Sequence, residues 1–98
     1  MEVLDRKGSF MPELSRFYGI VVKMIYNDTG KHNEPHFHVY SGEYSATITL
    51  DGELLAGQLS TNDLKLVQAW AIIHKDELRI AWDNAVKSKP IGKIEPLK

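Results

Sequence analysis

The sequence predicts an α+β fold, in which an antiparallel four-stranded meander sheet is followed by helix packed on one face. Two patterns indicate this class. Residues 17–59 contain β-branched and aromatic runs separated by turn residues, and after Ser60 the apolar residues change to helical spacing. A short extended segment is expected after Pro90, which ends the helical pattern.

Each predicted strand is bounded by turn signals. The first is apolar on both faces apart from Lys23, a pattern that suits a strand covered on both sides. The third alternates between apolar and polar residues, which indicates one buried face. Ser41-Gly42 and Asp51-Gly52 predict hairpin turns. The strands are predicted over residues 17–26, 36–40, 43–50 and 53–59.

The helical region begins with a capping signal. Ser60 followed by Asp63 is typical of a helix start, and the apolar spacing continues to Ala85. We expect one long helix or two helices hinged near His74, which lies on the apolar stripe as a core or boundary residue. Trp70 and Trp82 are predicted core residues. Residues 91–98 would add an edge strand or lie over the sheet.

Composition narrows the classes of protein. The 98 residues predict one domain over residues 14–98 after a flexible leader, residues 1–13. The chain has no cysteine, which excludes disulfides and thiolate metal sites, and its net charge of −1 argues against a surface that binds nucleic acid throughout. No apolar run is long enough for a membrane span. We expect a cytoplasmic protein that forms a homo-oligomer, most simply a twofold homodimer.

The segment from His32 to Tyr40 is the most informative for function, because it holds three of the chain's four histidines. Side chains two residues apart on a strand share a face, so His36 and His38 should be neighbours, with Phe37 on the other side. Such a pair can bind a metal, transfer protons or contact phosphate. It can also be a structural part of a loop.

A metal site would draw on His36, His38 and either His32 or Glu34. Neutral imidazole is the commonest metal ligand, and three protein ligands with an open position suit a divalent transition metal such as zinc. Two histidines with one carboxylate would also suit non-haem iron. The alternative is that the imidazoles only tie the loop to backbone carbonyls.

A second candidate set is catalytic and comprises His36, His38, Arg16 and Tyr18. Arg16 and Tyr18 are two apart and share a face if the first strand starts early. One histidine could act as a base towards an RNA 2′-hydroxyl, with Arg16 stabilising the phosphorane. In the alternative, Arg16 forms an ion pair with Glu95 or Glu43.

Two interpretations of Glu95 are open. Its carboxylate, fixed beside a proline, could orient a histidine. The alternative is a surface ion pair. The chain contains no glycine-rich phosphate loop, nucleophile elbow or His-Glu-x-x-His helix, which argues against a nucleotide-driven enzyme or a common hydrolase.

Three segments resemble a small bacterial family, domain of unknown function family 4160. They are Ser-Arg-Phe-Tyr-Gly-Ile at residues 15–20, the histidine segment at residues 32–39 and Lys-Ile-Glu-Pro-Leu at residues 93–97. Glu34 replaces a proline usual in that family. The resemblance implies a gene beside that of another small protein, an arrangement similar to toxin–antitoxin pairs, but no activity.

Three functions therefore remain open. The first is a component of a toxin–antitoxin-like or regulatory module with a small partner protein encoded nearby, in which the histidine face is an acid–base nuclease acting on RNA. The second is a non-catalytic protein-interaction or dimerisation domain. The third is a metal-binding domain built on the histidine loop.

Overall fold

The computed structural model describes residues 12–26 and 34–98. In these residues the predicted α+β class is confirmed: the strands form one antiparallel meander sheet in the order β1-β2-β3-β4-β5, and two helices follow it. Most of the predicted leader, residues 1–11, lies outside the described residues. The strands are β1 (Glu13–Phe17), β2 (Ile20–Lys23), β3 (His36–Ser41), β4 (Tyr44–Thr49) and β5 (Leu54–Gly57), and the helices are α1 (Thr61–Ile73) and α2 (Lys75–Val86).

The prediction of one strand over residues 17–26 is wrong, because this segment turns back on itself. Tyr18 and Gly19 have positive φ angles of 50° and 77°, and Phe17 pairs with Ile20 across this two-residue turn. Two positive φ angles define the hairpin turn whose twist matches that of the flanking strands. The sheet therefore has five strands instead of four, and Lys23 lies on a half-exposed side of β2 rather than in a strand covered on both sides.

The two later hairpins form where expected, with shifted turns. Gly42 and Glu43 connect β3 to β4, one residue beyond the predicted Ser41-Gly42 turn. The β4–β5 connection comprises residues 50–53 and is longer than the predicted two-residue turn. Within it, the Gly52 N–H donates to the Thr49 carbonyl at 2.9 Å.

The helical region follows the hinged alternative. α1 and α2 meet at His74, and the Ser60 hydroxyl caps α1 by accepting the Asp63 N–H at 3.1 Å. The His74 imidazole Nδ1 lies 2.6 Å from a Glu77 carboxylate oxygen, so this histidine is a boundary residue paired within the helices. Neither helix in the described part of the chain is long and apolar enough to cross a membrane.

The core confirms the expected role of the tryptophans. The Trp70 ring contacts those of Phe17 and Phe37, with centroids 5.6 and 5.8 Å away, and Trp82 is also buried. The Trp70 indole N–H donates to the Glu95 carbonyl at 2.8 Å. This bond ties α1 to the C-terminal segment.

The C-terminal segment covers the β1 edge of the sheet. The Ile94 N–H donates to the Leu14 carbonyl at 2.8 Å, and the side chains of Ile91 and Ile94 are buried. Residues 89–98 form neither helix nor strand. At the opposite edge of the sheet lies β5.

Candidate functional site

The two faces of the sheet differ in what covers them. Phe37 and Val39 of β3 are buried in the core, where Phe37 contacts Trp70 of α1. The alternate residues of β3 and its neighbours form the other side, which we call the polar face. Its half-buried or exposed residues include Arg16, Val21, Lys23, His38, Tyr40, Ser45, Thr47 and Ala56.

Strand register sets the neighbours on the polar face. One row runs from Lys23 to His38 to Thr47, which are direct cross-strand partners, and the adjacent row places Tyr40 between Val21 and Ser45. Directly paired side chains on one face lie close enough to interact. The row therefore joins a cation, an imidazole and a hydroxyl.

The contacts on this face are consistent with that register. The Lys23 ammonium lies 5.7 Å from the centroid of the Tyr40 ring, within the range of a cation–π interaction. The His38 Nδ1 lies 3.4 Å from the Thr47 hydroxyl oxygen, and the imidazole tautomer decides which group donates. His38 is half-buried, so part of the residue reaches the surface.

His36 is placed quite differently from His38. It is only 1% exposed, and its ring centroid lies 5.1 Å from that of Trp82. Its Nδ1–H donates to the Glu34 carbonyl at 2.7 Å, because a carbonyl can only accept. The ring is 5.2 Å from that of His38, which confirms that the two imidazoles are neighbours. Burial makes His36 a residue that holds the start of β3.

Arg16 lies at the far end of the polar face. Its guanidinium pairs with Glu13 at 2.7 Å, and not with the predicted Glu95 or Glu43. The pKa of Glu13 is lowered, chiefly because Arg16 hydrogen-bonds its carboxylate, with further attraction from Arg16, Lys93 and Lys23 and an opposing effect of burial. The backbones of β1 and β3 are two strand spacings apart, about 10 Å.

Tyr18 does not join the polar face. It lies in the β1–β2 turn with 64% of its surface exposed, and its ring contacts that of Phe17 edge-on. The expectation that Arg16 and Tyr18 share a strand face fails because β1 ends at Phe17. The structure thus brings His36 and His38 together, and leaves Arg16 and Tyr18 apart from them. The catalytic roles of these four residues remain predictions.

The predicted metal ligands are only partly described. His32 lies outside the described residues, and no group of three metal-ligating side chains exists within residues 12–26 and 34–98. Glu34 contributes its backbone carbonyl to His36. The backbone carbonyl of Glu95 accepts a hydrogen bond from Trp70, and Glu95 itself is exposed.

Two parts of the polar face were not singled out from the sequence. Lys23 interrupts an apolar run, which was a visible signal, but its position opposite His38 depends on register. Ala56 and Gly57 of β5 border an open cavity of about 230 Å³ beside His38. Small residues in a predicted strand gave only a weak signal for that cavity.

A second cavity, of about 330 Å³, lies between α2 and the ends of β3 and β4. Its charges are of both signs, and the Lys75 ammonium already lies 3.4 Å from the Asp51 carboxylate. Internal pairing reduces what these charges can offer a ligand, so the polar face is the stronger candidate.

The sequence model of one protein family matches residues 19–83, and its description is "Domain of unknown function (DUF4160)". The matched region includes β2 to β5 and α1, and most of α2. No curated protein and no solved structure matches the chain.

Proposed function

Because this chain belongs to the DUF4160 family, whose description names no activity, we propose its function from the polar face. The protein binds single-stranded RNA on this face, and it serves as the RNA-directed component of a toxin–antitoxin-like or regulatory module. The supporting observation is the cross-strand row Lys23–His38–Thr47 beside Tyr40, on the side of the sheet opposite the Phe37 core.

The chemistry of the polar face suits a single strand better than a duplex. Proteins recognise unstacked bases by stacking them on aromatic rings of a sheet, while cations contact the phosphates. Tyr40 supplies a ring, and Lys23 and Arg16 supply positive charge on the same face. A net charge of −1 for the chain makes this local placement decisive, because phosphate contacts dominate the affinity.

His38 gives the face an acid–base group. In the cleavage that we propose, its imidazole takes the proton of an RNA 2′-hydroxyl. The resulting oxygen attacks the adjacent phosphorus, and the 5′-oxygen leaves with a proton from water. The products are a 2′,3′-cyclic phosphate and a 5′-hydroxyl. Lys23, directly across from His38, stabilises the extra negative charge on the phosphorane.

Binding is tested by fluorescence anisotropy with a labelled single-stranded RNA and a duplex of the same sequence. We expect tighter binding of the single strand and a salt dependence that Lys23→Ala weakens by about 0.7 in log–log slope, the value for one phosphate contact. Lys65→Ala is the matched control, because Lys65 is an exposed lysine of α1. Equal slopes for the two variants would contradict binding through the polar face.

Cleavage is tested separately with His38→Ala. We expect 2′,3′-cyclic phosphate products with the wild-type protein, and no cleavage of an all-deoxy strand, because that strand lacks the nucleophile. Retention of full cleavage in His38→Ala would remove the acid–base role and leave RNA binding alone.

The proposed module is tested in cells. We expect induced expression to slow growth, and co-expression of the neighbouring small protein to restore it. His38→Ala should not slow growth if cleavage is responsible. Growth that is unaffected by expression at levels confirmed by immunoblot would argue against a toxin-like component.

The second candidate function is a protein-interaction or dimerisation domain. It is favoured by Ile72, Ile73 and Ile80, which are 73%, 63% and 61% exposed on the helices. Large exposed apolar side chains that are adjacent, as Ile72 and Ile73 are along the chain, favour a protein contact. Light scattering after gel filtration should then show a dimer that Ile80→Glu dissociates and Leu54→Glu, a change at an exposed leucine of β5, does not.

The third candidate is metal binding by His36 and His38. It is favoured by the hydrogen bond that the His36 Nδ1–H donates to the Glu34 carbonyl. Metal-ligating histidines usually donate their other ring N–H to such an acceptor. A divalent transition metal would then be retained by untagged protein prepared without chelator, and His38→Ala would lose it. Elemental analysis decides this directly, and metal-free wild-type protein would exclude the candidate.

A further inference from the structure

The cavity beside His38 is formed by small residues of β5. Ala56 is the cross-strand partner of Thr47, and Gly57 is that of Ala46. With no large side chain at either position, the sheet surface is recessed next to its aromatic and polar groups. The residues that line this cavity are Ala46, Ala56, Gly57, His38, Tyr40, Ser45 and Thr47.

The floor of the cavity is held in place by close backbone contact. A Cβ added to Gly57 would lie 2.8 Å from the Ala46 Cα, so only glycine allows β5 to approach β4 this closely. The next residue is also fixed, because the Gln58 N–H donates to the Ser45 carbonyl at 2.9 Å. The close pairing of β4 and β5 therefore fixes the shape of the recess.

We infer that this cavity, the Ala56 cavity, receives one unstacked base of a single-stranded RNA. The inference rests on the proposed function and names the part of the ligand that the polar face selects. A volume of about 230 Å³ is below the roughly 300–1,000 Å³ of sites for drug-sized ligands, so the cavity suits a base without its sugar.

The walls have the chemistry that a base needs. The Ala56 methyl group is apolar, and the rings of His38 and Tyr40 can contact an aromatic face. The hydroxyls of Ser45 and Thr47 can each donate or accept, so they can pair with the edge of a base without choosing among the four bases.

The position of Lys23 fits this arrangement. Lys23 lies on β2 and pairs with His38 of β3, whereas the Ala56 cavity lies on the β4 and β5 side of that histidine. A base in the cavity would leave its sugar and phosphate above the row Lys23–His38–Thr47. The cavity then sets which phosphodiester lies next to His38.

The test compares an RNA pentamer with the same pentamer carrying an abasic residue at its centre. Ala56→Leu fills the cavity and keeps every hydrogen-bonding group, while Ala69→Leu makes the same change at an exposed position of α1. We expect Ala56→Leu to weaken binding of the intact pentamer about tenfold, the size of one stacking contact. Wild-type protein and Ala56→Leu should bind the abasic pentamer equally, because that RNA has no central base to place in the cavity.

The failures can be told apart. If Ala56→Leu and Ala69→Leu bind the intact pentamer equally while Lys23→Ala still lowers the salt slope, the cavity inference is overturned and the proposed function stands. If wild-type protein binds no RNA, the proposed function falls, and the cavity is tested with uridine and adenosine by NMR. Shifts at the amides of residues 45–47 and 56–57 would support it, and their absence at about 10 mM nucleoside, a weak-affinity limit, would overturn it.

Discussion

Replacing Gly57 by alanine tests how closely β5 is held against β4. Gly57 has a φ angle of 83°, and an added Cβ would lie 2.8 Å from the Ala46 Cα and closer still to the Ser45 carbonyl oxygen. Carbon atoms in favourable contact are about 3.5–4.0 Å apart. Relief would require β5 to move away from β4, which would strain the Gln58–Ser45 hydrogen bond.

Gly42 provides the matched control for the magnitude. It also has a positive φ angle, 57°, but a Cβ there would meet nothing within 4 Å. A left-handed conformation costs a residue with a side chain about 1–2 kcal/mol, and this cost applies at both positions. Overpacking adds about 1–3 kcal/mol at Gly57 alone. We therefore expect losses of about 1 kcal/mol for Gly42→Ala and about 3 kcal/mol for Gly57→Ala.

Urea unfolding followed by tryptophan fluorescence measures both variants, because Trp70 and Trp82 are buried in the folded protein. The expected difference between the variants is about 2 kcal/mol, a large part of the total stability of a small domain. A lower m-value for Gly57→Ala would indicate that β5 detaches in the folded state. Equal losses would refute the close β4–β5 contact, and with it the rigid floor of the Ala56 cavity.

Three further predictions concern local interactions. Ser60→Ala should cost about 1 kcal/mol in urea unfolding, because the α1 cap is lost, and Thr61→Ala should cost clearly less. Trp70→Phe removes the indole donor to the Glu95 carbonyl, so hydrogen exchange at the Ile94 amide should accelerate more than exchange in β4; equal acceleration would mean general destabilisation. Glu13→Gln should lower stability at neutral pH but not below its folded pKa. Arg16 lowers the pKa of Glu13 in the folded state, so the stabilisation is present above the carboxyl's ordinary pKa and is lost as pH falls through the lowered one. A constant difference between wild type and Glu13→Gln from pH 7 to about pH 3 would contradict this linkage.

Features set by local sequence were predicted well. The Ser60 cap and the burial of both tryptophans follow from spacing within one segment, whereas the hinge at His74 was one of two alternatives that the spacing left open. The first hairpin was missed because Tyr18-Gly19 lacks the asparagine or aspartate that usually marks such turns. Tyrosine seldom adopts the positive φ angle that this turn requires. The β-branched and aromatic residues on both sides of the turn favoured one continuous strand instead.

The candidate site was harder to predict because it depends on pairing between distant segments. Alternation showed that His36 and His38 share a face, and the structure brings their rings together. The position of Lys23 opposite His38 follows only from the β2–β3 register. The hairpin after β1 places Arg16 on a strand of its own and Tyr18 in a turn, so their positions relative to the histidines do not follow from spacing along the chain.

The different burial of the two histidines gives a prediction that separates structure from function. His36→Ala should leave a cavity beside Trp82, and it should also leave the Glu34 carbonyl without its hydrogen-bond donor. Together these losses should lower the free energy of unfolding by about 2–4 kcal/mol. His38→Ala removes a half-buried ring and should cost less than about 1 kcal/mol, as surface changes usually do.

RNA affinity should follow the opposite order. His38→Ala should weaken binding of the single strand, and His36→Ala should not, when measured at a temperature where both variants are folded by circular dichroism. A surface role for His36 would instead give a small loss of stability with a large loss of affinity. Because the motif combines a core residue and a surface residue, the single variants are informative, whereas the double variant would confound unfolding with loss of the site.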